Sequence, residues 1–254
     1  MILALDIGNT NIVIGCIEEG EIVFDGRITT DSAKTDMEFA VMLKNILTIN
    51  NIDPKKFEGA IMSSVVPPIN QAIKTAVKLV IGKEPMIISG CEGLKVALDD
   101  PSQLGNDLVV GAVTVMHDFT PPIILIDMGT ATTIFVIDKT GTYIGGAIIP
   151  GVMISQKALS QMTSLLPSIS LEAPASAIGK NTIDAMQSGA ILGSASMLDG
   201  MIDKIEAELG EKTTVVATGG LSEAIIKNCR HEILYDADLL LRGLWLIYKK
   251  NKDK

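Results

Sequence analysis

Short runs of aliphatic residues, separated by polar turns, recur along the first half of the chain. Such runs are typical of buried strands, and longer segments with apolar residues three and four apart are typical of helices. The pattern predicts strands at 2–5, 12–17, 22–28, 59–63 and 86–89, and a helix at 71–80. Between them, Phe39, Leu43 and Leu47 share one helical face, and Thr35 and Glu38 have the spacing of a capping box.

The second half of the chain continues this alternation of strands and helices. Strands are predicted at 123–126, 132–137, 142–149 and 215–217, and helices at 154–163, 183–209 and 238–249. Either Asn181 or Thr182 supplies the N-cap of the long middle helix, and residues 169–178 are predicted to form an irregular loop. Strands that alternate with helices favour an α/β fold.

The two halves also share a sequence pattern. The segment Asp6-Ile-Gly8-Asn-Thr follows the first predicted strand, and Asp127-Met-Gly129-Thr follows a similar strand about half the chain later. Solenoid repeats have periods of about 20–50 residues, so this spacing indicates a duplicated domain. We therefore predict two similar lobes, 1–118 and 119–254, each opening with a strand, a turn and a second strand.

Composition narrows the classes of function. The net charge is −9 and aromatic residues make up 4%, without a basic and aromatic cluster, so we expect no nucleic-acid partner. The mean hydropathy of +0.38 is high, yet we find neither a signal peptide nor the roughly 20 apolar residues of a membrane span, and expect no membrane partner. Three cysteines without metal or redox spacing favour the reducing cytoplasm.

The two aspartate turns are candidates for phosphate binding. Glycine lets the backbone approach a phosphate closely, Asn and Thr add hydrogen-bond donors, and the aspartate can hold a metal-bound water. Each turn alone could equally be an ordinary hairpin. Two such turns, one near the start of each duplicated lobe, would bind a polyphosphate from both sides of a cleft. A third turn, Gly219-Gly220, follows a buried strand and leaves room for a nucleoside.

This order of two phosphate turns and a nucleoside turn resembles the actin and sugar-kinase superfamily. A closer match, to the type III pantothenate kinase family, rests on eight segments that span nearly the whole chain. They are DIGNTN at 6–11, SSVVP at 63–67, GND at 105–107, DMGTATT at 127–133, GGAIIPG at 145–151, GKNT at 179–182, AMQSG at 185–189 and ATGG at 217–220.

The resemblance implies a fold and an activity. The fold would be two duplicated ribonuclease H-like (actin-like) lobes, each a mixed sheet flanked by helices, with ATP in the cleft between them. The activity would be transfer of the γ-phosphoryl group of ATP to the primary hydroxyl of pantothenate. This reaction yields 4'-phosphopantothenate and is the first step of coenzyme A biosynthesis. Magnesium is expected with ATP, because the motifs supply few cations against a triphosphate.

The resemblance also implies roles for individual residues. Together with the nucleoside turn, the ATP-binding residues would be Asp6, Ile7, Gly8, Asn9, Thr10, Asn11, Ile12, Val13, Thr130, Gly219 and Gly220. The pantothenate-binding residues would be Gly105, Asn106, Asp107, Leu108 and Thr182, with Asp107 as the catalytic base. Asp127 would hold a monovalent cation, potassium or ammonium. Family members are homodimers, and Thr182 would reach the partner's site.

Three positions depart from the family pattern. Leu108 stands where the family commonly has Arg, Leu98 where it has Tyr, and Phe135 where it often has Asp. Replacing an Arg–carboxylate contact should weaken pantothenate binding by about 1.5–3 kcal/mol. Leu98 and Leu108 therefore leave two alternatives open: a kinase for another small hydroxylated acceptor, or an ATP-binding paralogue with a regulatory role.

Small residues on the long predicted helix indicate whether the protein forms a dimer. Gly189, Gly193 and Ser196 lie three and four apart, which places them on one helical face. Glycine costs about 1 kcal/mol relative to alanine inside a helix, so something is expected to approach this face closely. Tight packing against the chain's own sheet or against its nucleotide is one interpretation. The family resemblance favours the other, a partner helix in a homodimer.

Overall fold

The computed structural model describes residues 1–252, which divide into two compact units. The first unit contains 1–94, 99–117 and the residues from 238 onward, and the second contains 95–98 and 118–237. None of the helices within residues 1–252 is both long enough and apolar enough to cross a membrane.

Secondary structure alternates along the chain as the hydrophobic pattern predicts. Up to residue 118 the elements are β1 (Ile2–Ile7), β2 (Asn11–Glu18), β3 (Glu21–Thr29), α1 (Asp36–Ile49), β4 (Gly59–Ser64), α2 (Asn70–Ile81), β5 (Pro85–Ile87), β6 (Lys95–Val96) and α3 (Asn106–Asp118). The elements that follow are β7 (Ile123–Met128), β8 (Ala131–Ile137), β9 (Thr142–Pro150), α4 (Val152–Met162), α5 (Thr182–Ser188), α6 (Ser194–Leu209), β10 (Thr214–Thr218), α7 (Ser222–Ile226), β11 (Leu234–Tyr235) and α8 (Leu239–Asn251).

The sheet of the first unit has the strand order β3-β2-β1-β4-β5. The first three strands are antiparallel, and β4 and β5 run parallel to β1. On one face of the sheet, Leu3 and Leu5 pack against α1 and α2. On the other face, Ile2, Ala4 and Ile61 pack against α3 and α8. Because both faces of β1 and β4 are covered by helices, these strands are apolar on both sides.

The sheet of the second unit repeats this arrangement. Its order is β11-β10-β7-β8-β9-β6, with β7, β8 and β9 antiparallel and β10 parallel to β7. Strands β7 to β10 thus correspond to β1 to β4. The core on the α6 side is formed by Ile124, Ile126, Leu198, Ile202 and other aliphatic side chains. The predicted fold class, two mixed sheets flanked by helices in a duplicated α/β chain, is confirmed.

The compact units differ from the predicted lobes, 1–118 and 119–254, in the position of the last helix. Helix α8 follows the second unit in sequence but packs in the first unit. Gly243 explains the close packing, since a Cβ there would collide with Thr114 Oγ1. The Thr114 hydroxyl donates to the carbonyls of Val110 and Leu239, at 2.9 and 3.0 Å. In addition, β6 extends the sheet of the second unit, and sequence reasoning missed this two-residue strand.

The helix starts follow the predicted capping signals. The Thr35 hydroxyl accepts from the Glu38 amide, and the Glu38 carboxylate accepts from the Thr35 amide, which confirms the capping box at α1. Asn181, one of the two predicted caps, accepts from the Asp184 amide at the start of α5. The predicted helix 183–209 is continuous but contains a wide π turn, Gly189–Gly193, where its glycines lie.

Candidate active site

The first aspartate turn joins β1 to β2 and is held by backbone hydrogen bonds. The Gly8 amide donates to the Asn11 carbonyl at 3.0 Å. The residue directly after β3 is Thr30, whose hydroxyl donates to the Gly8 carbonyl at 2.6 Å and whose amide donates to the Thr10 carbonyl at 2.9 Å. Sequence reasoning missed Thr30, which fixes the turn from the neighbouring strand. The turn leaves Asn9 and Thr10 exposed.

The predicted ATP-binding residues around this turn lie in two strands. Asp6 and Ile7 end β1, and Ile12 and Val13 begin β2 as their Cα partners. Ile12 is buried in the sheet core, so its part in any ligand site is limited to its backbone. The polar groups available at this edge are therefore the Asp6 carboxylate and the turn itself.

Strand β4 brings a second polar segment to the same edge. Ser63 is the Cα partner of Asp6, and the Val65 amide donates to the Ile7 carbonyl at 3.0 Å. Ser63 is fully buried, and its hydroxyl has no hydrogen-bond partner. Leaving a buried hydroxyl unpaired costs about 1–3 kcal/mol, so this group requires an explanation.

The start of α3 lies at this edge of the first unit too. The Asn106 side-chain amide donates to the Ser64 carbonyl at 3.2 Å, which ties the helix start to the end of β4. A Cβ at Gly105 would lie 2.5 Å from Asp107 Oδ1 and 3.9 Å from Val65 Cγ1. A side chain at Gly105 would thus displace the Asp107 carboxylate. The structure places the predicted base at the strand edge that carries Asp6.

The Asp107 carboxyl has an unusual environment for an aspartate. Burial raises its pKa, and the hydrogen bonds from the amides of Leu108 and of Asp107 itself lower the pKa by less. The Leu108 amide donates to Asp107 Oδ1 at 2.8 Å. A carboxylate with a raised pKa is a stronger proton acceptor than an exposed one, which is the property that a general base needs.

The second aspartate turn joins β7 to β8 and is one residue shorter than the first. The Gly129 amide donates to the Ala131 carbonyl at 3.0 Å. Asp127 has two Cα partners, Thr133 on β8 and Thr218 on β10. The second phosphate turn and the predicted nucleoside turn therefore lie side by side at one edge of this sheet.

A threonine hydroxyl lies on the same sheet face as Asp127. Thr133 Oγ1 is buried and has no hydrogen-bond partner, and Thr133 shares a sheet face with Asp127 because the two are Cα partners. Potassium and other hard cations take carboxylate, carbonyl and hydroxyl oxygens as ligands. The residues present fit a monovalent cation, because an unpaired hydroxyl oxygen lies beside a carboxylate.

Two glycines allow the close backbone packing around these turns. Gly219 has φ +99°, and a Cβ there would lie 2.5 Å from the Met128 carbonyl oxygen. A Cβ at Gly151 would collide with the Thr130 carbonyl oxygen. Neither position accepts a side chain without a backbone shift. Thr130 and Gly220, two predicted ATP-binding residues, are both exposed on these turns.

Thr182 lies in a different setting, on an apolar groove of the second unit with a volume of about 670 Å³. The groove is lined by Thr132, Ile149, Pro150, Val152, Ser155, Gln156, Leu159, Leu166, Thr182, Ala185, Met186, Gly189, Ala190, Gly193, Ser194 and Met197. Apart from the helix's own backbone, no described atom lies within 4 Å of a Cβ built on Gly189 or Gly193. The two glycines therefore do not serve tight packing against the chain's own sheet.

The three departures from the family pattern have different structural settings. Leu98 approaches the backbone of Gly145, where an added Cβ would lie 3.6 Å from Leu98 Cδ2. Phe135 is buried and packs against the Tyr143 ring at 5.3 Å between centroids, so it is a core residue. Leu108 follows Asp107 in the first turn of α3 and is only half-buried.

Comparison with known proteins agrees with these features. A family model described as type III pantothenate kinase matches residues 2–204. The chain is 39% identical to a type III pantothenate kinase from Roseiflexus sp. (strain RS-1), over 99% of this chain and 100% of the relative. It is 40% identical to a type III pantothenate kinase from Exiguobacterium sp. (strain ATCC BAA-1283 / AT1b), with the same coverage.

Solved structures with the same fold are more distant in sequence. Component A of (R)-2-hydroxyglutaryl-CoA dehydratase from Acidaminococcus fermentans is similar with a TM-score of 0.58 and 15% identity, over 100% of this chain and 99% of that one. A Campylobacter jejuni protein, provisionally named a Baf family transcriptional activator, gives a TM-score of 0.58 at 19% identity, over 99% and 100%. At these identities the likeness supports the fold alone. The family-model match and the two full-length relatives show that this chain belongs to the type III pantothenate kinase family.

Proposed function

We propose that this chain phosphorylates pantothenate at the expense of ATP, giving 4'-phosphopantothenate and ADP in the first step of coenzyme A biosynthesis. The observation that carries the proposal is the position of Asp107. Its half-buried carboxylate lies at the strand edge of the first unit that also carries Asp6 and the turn 8–10. The identities of the acceptor, pantothenate, and of the phosphoryl donor, ATP, are inferred from membership of the type III pantothenate kinase family.

The first aspartate turn is proposed to bind the phosphates of ATP. The backbone of residues 6–13 offers amide donors, and Gly8 lets a phosphate approach because it has no side chain. Magnesium, when bound with ATP, neutralises charge on the transferring phosphoryl group. Asp6 would hold this ion, since magnesium is usually bound through one or two carboxylates together with substrate phosphates.

Asp107 is proposed to act as the general base. It would accept the proton of the primary hydroxyl of pantothenate as that oxygen bonds to the γ-phosphorus and the bond to the ADP oxygen breaks. Phosphoryl transfer depends mainly on positioning and charge stabilisation, so a single base suffices. The amide of Leu108 donates to this carboxylate, and the absence of a side chain at Gly105 leaves room for it.

The second unit is proposed to contribute to nucleotide and cation binding. Thr130 would donate to ATP, and Gly219 and Gly220 would lie against the nucleoside. Asp127, with the Thr133 hydroxyl beside it, would hold potassium or ammonium. The support for the cation is the unpaired Thr133 oxygen, which gains a ligand if a cation binds.

The acceptor site is proposed to include Gly105, Asn106, Asp107, Leu108 and Thr182. Pantothenate is an anion, and Leu108 offers no charge to its carboxylate. We therefore expect weaker pantothenate binding than in relatives with arginine at this position, while the chemistry at Asp107 is retained.

We further propose that the protein is a homodimer built on the groove of the second unit. The support is the apolar lining, the open space over Gly189 and Gly193, and the exposed aliphatic residues on neighbouring segments. Met162 is 84% exposed and Leu165 is 89% exposed. A second copy that covers this face would bury them and carry Thr182 into the neighbouring active site. The three cysteines are free, in keeping with the cytoplasm as the proposed location.

The decisive experiment is a coupled assay of ADP release with and without pantothenate, first in potassium and then in sodium buffer. The proposed function predicts ADP release that depends on pantothenate and magnesium and is faster in potassium. ADP release that is the same with and without pantothenate would contradict the assignment of the acceptor.

A further inference from the structure

One buried hydroxyl of the first unit has no part in the reaction described so far. Ser63 is 0% exposed, and its Oγ has no hydrogen-bond partner. The next residue differs, because the Ser64 hydroxyl pairs with Asn70 Oδ1 at 2.5 Å and accepts from the Val66 amide at 3.0 Å. Since buried hydroxyls in native proteins are nearly always paired, the Ser63 hydroxyl calls for a partner outside the chain.

The sheet register determines the direction of this hydroxyl. Ile2, Ala4 and Ile61 project into the apolar cluster that also contains Val110 of α3. Side chains alternate along a strand, so Asp6 and Ser63 follow Ala4 and Ile61 on the same face. They are also Cα partners on adjacent strands. The Ser63 hydroxyl therefore lies beside the Asp6 carboxylate, where the apolar layer ends.

Helix α3 covers this face. Asn106 and Asp107 precede Val110 by four and three residues, and such positions share one helical face. The hydrogen bond from the Asn106 side chain to the Ser64 carbonyl fixes the helix start at the end of β4. Ser63 thus lies between the aspartate proposed to hold magnesium and the helix start that bears the proposed base.

We propose that Ser63 is an additional binding residue for magnesium–ATP, whose hydroxyl hydrogen-bonds to the hydrated magnesium–triphosphate beside Asp6. The inference rests on the proposed function only in taking magnesium–ATP as the ligand. In the ligand-free protein the hydroxyl is unpaired, which opposes folding. In the complex it gains a polar partner, which favours binding.

The second unit has a comparable group on a different strand, because Thr133 lies on β8, which corresponds to β2, whereas Ser63 lies on β4. Thr133 Oγ1 is buried and unpaired, and Thr133 is the Cα partner of Asp127, as Ser63 is of Asp6. Each aspartate turn therefore has an unpaired hydroxyl beside its aspartate, on a neighbouring strand. The two hydroxyls do not occupy equivalent strands, but an unpaired hydroxyl beside each aspartate is expected if both hydroxyls serve bound ligands.

The test compares Ser63→Ala with the control Thr114→Val. Both variants remove a fully buried hydroxyl of the first unit, but only the Thr114 hydroxyl has hydrogen-bond partners within the chain. The measurements are the Tm of the ligand-free protein and the Kd of a non-hydrolysable ATP analogue, by calorimetry with and without magnesium. Ser63→Ala should melt at or above the wild-type Tm and bind the magnesium complex about tenfold more weakly, a change of 1.4 kcal/mol. Thr114→Val should melt at a lower temperature and keep the wild-type Kd.

Several results would overturn this inference. An unchanged Kd for the magnesium complex in Ser63→Ala is one, and a loss of affinity that persists without magnesium is another. If Ser63→Ala does not fold, Ser63→Cys provides the same test with a weak donor and should raise the Kd by a smaller factor. A wild-type protein that binds the analogue but releases no ADP with pantothenate contradicts the proposed function and leaves the Ser63 assignment standing.

Discussion

The two aspartate turns share a glycine hydrogen bond but differ by one residue in length and in their surroundings. In both, a glycine amide donates at 3.0 Å across the turn, and the aspartate ends the central strand of its sheet. The first turn is adjoined by a helix start that carries a half-buried carboxylate, and the second by threonines and closely packed glycines. The two copies of the turn are thus similar, while the side chains that neighbour them differ. Variants of the first unit should change the chemistry, and variants of the second should change assembly or cation dependence.

The largest effect is expected from Asp107→Asn in the first unit. Removing a general base lowers the rate typically by about 10²- to 10⁴-fold, and kcat should fall by that factor while the Kd of ATP stays unchanged. Asp36→Asn is a matched control. Asp36 also lies in the first turn of a helix and accepts the following amide, at 2.9 Å, but it is exposed. An Asp107→Asn enzyme with near-wild-type kcat would exclude Asp107 as the base.

The effect of Asp107→Asn on thermal stability should depend on pH. Burial raises the pKa of Asp107 in the folded protein above its unfolded value, so the protonated form favours folding and this contribution is lost as pH rises through the folded pKa. At neutral pH, Asp107→Asn should therefore melt at a higher temperature than the wild type, and the difference should vanish in acid. In the wild type, kcat/KM should fall in acid at a pH above the usual pKa of an aspartate. Melting curves and pH–rate profiles test both statements.

The dissociation of the proposed homodimer should be greatest for a substitution in the groove of the second unit. Gly193→Leu fills the open space that a second copy would occupy, so it should yield monomers with much reduced activity. Gly200→Leu is the control, because Gly200 lies further along the same continuous helix, in α6, and also has open space over it but does not line the groove. Light scattering measures the mass. A wild-type mass near the 26.9 kDa of one chain would rule out the dimer.

A smaller effect is expected at the acceptor site of the first unit. Leu108→Arg supplies a cation for the pantothenate carboxylate and should lower KM for pantothenate about tenfold, the size of a hydrogen bond to a charged group. Leu108→Gln controls for polarity without charge and should change KM little. Steady-state kinetics with pantothenate as the varied substrate provides the measurement. If KM is equal in both variants, Leu108 does not face the carboxylate.

The smallest effect should come from the second aspartate turn. Thr133→Val removes the unpaired hydroxyl beside Asp127 and should raise the potassium concentration for half-maximal activity by a few fold, about the worth of one neutral hydrogen bond. Thr133→Ser keeps the hydroxyl and should behave like the wild type. Potassium titrations of ADP release distinguish them. Identical titration curves for Thr133→Val and the wild type would contradict the cation assignment.

Much of the fold could be predicted from the sequence, because strands buried on both faces and capped helices leave strong local signals. The strand β1 and the capping box at α1 are examples, and the position of Asp127 at the end of β7 follows from the same pattern. Contacts between distant segments left no such signal. Thr30 looks like an ordinary strand residue, and Ser63 and Thr133 stand out only as members of longer motifs, until the register places them beside the aspartate turns. The unit to which α8 belongs is likewise decided by packing between residues far apart in sequence, such as Gly243 and Thr114.

The return of α8 to the first unit affects how this protein is made. Ribosomes release the chain from its amino end, and domains generally fold in that order during synthesis. Here the helix that completes one face of the first sheet, through Leu241 and Leu244, emerges only after the whole second unit. Until then α3 alone covers the apolar surface of Ile2, Ala4 and Ile61, and the part that α8 covers stays exposed in the nascent chain. We therefore expect a chain truncated before residue 239 to leave this face of the first unit incomplete.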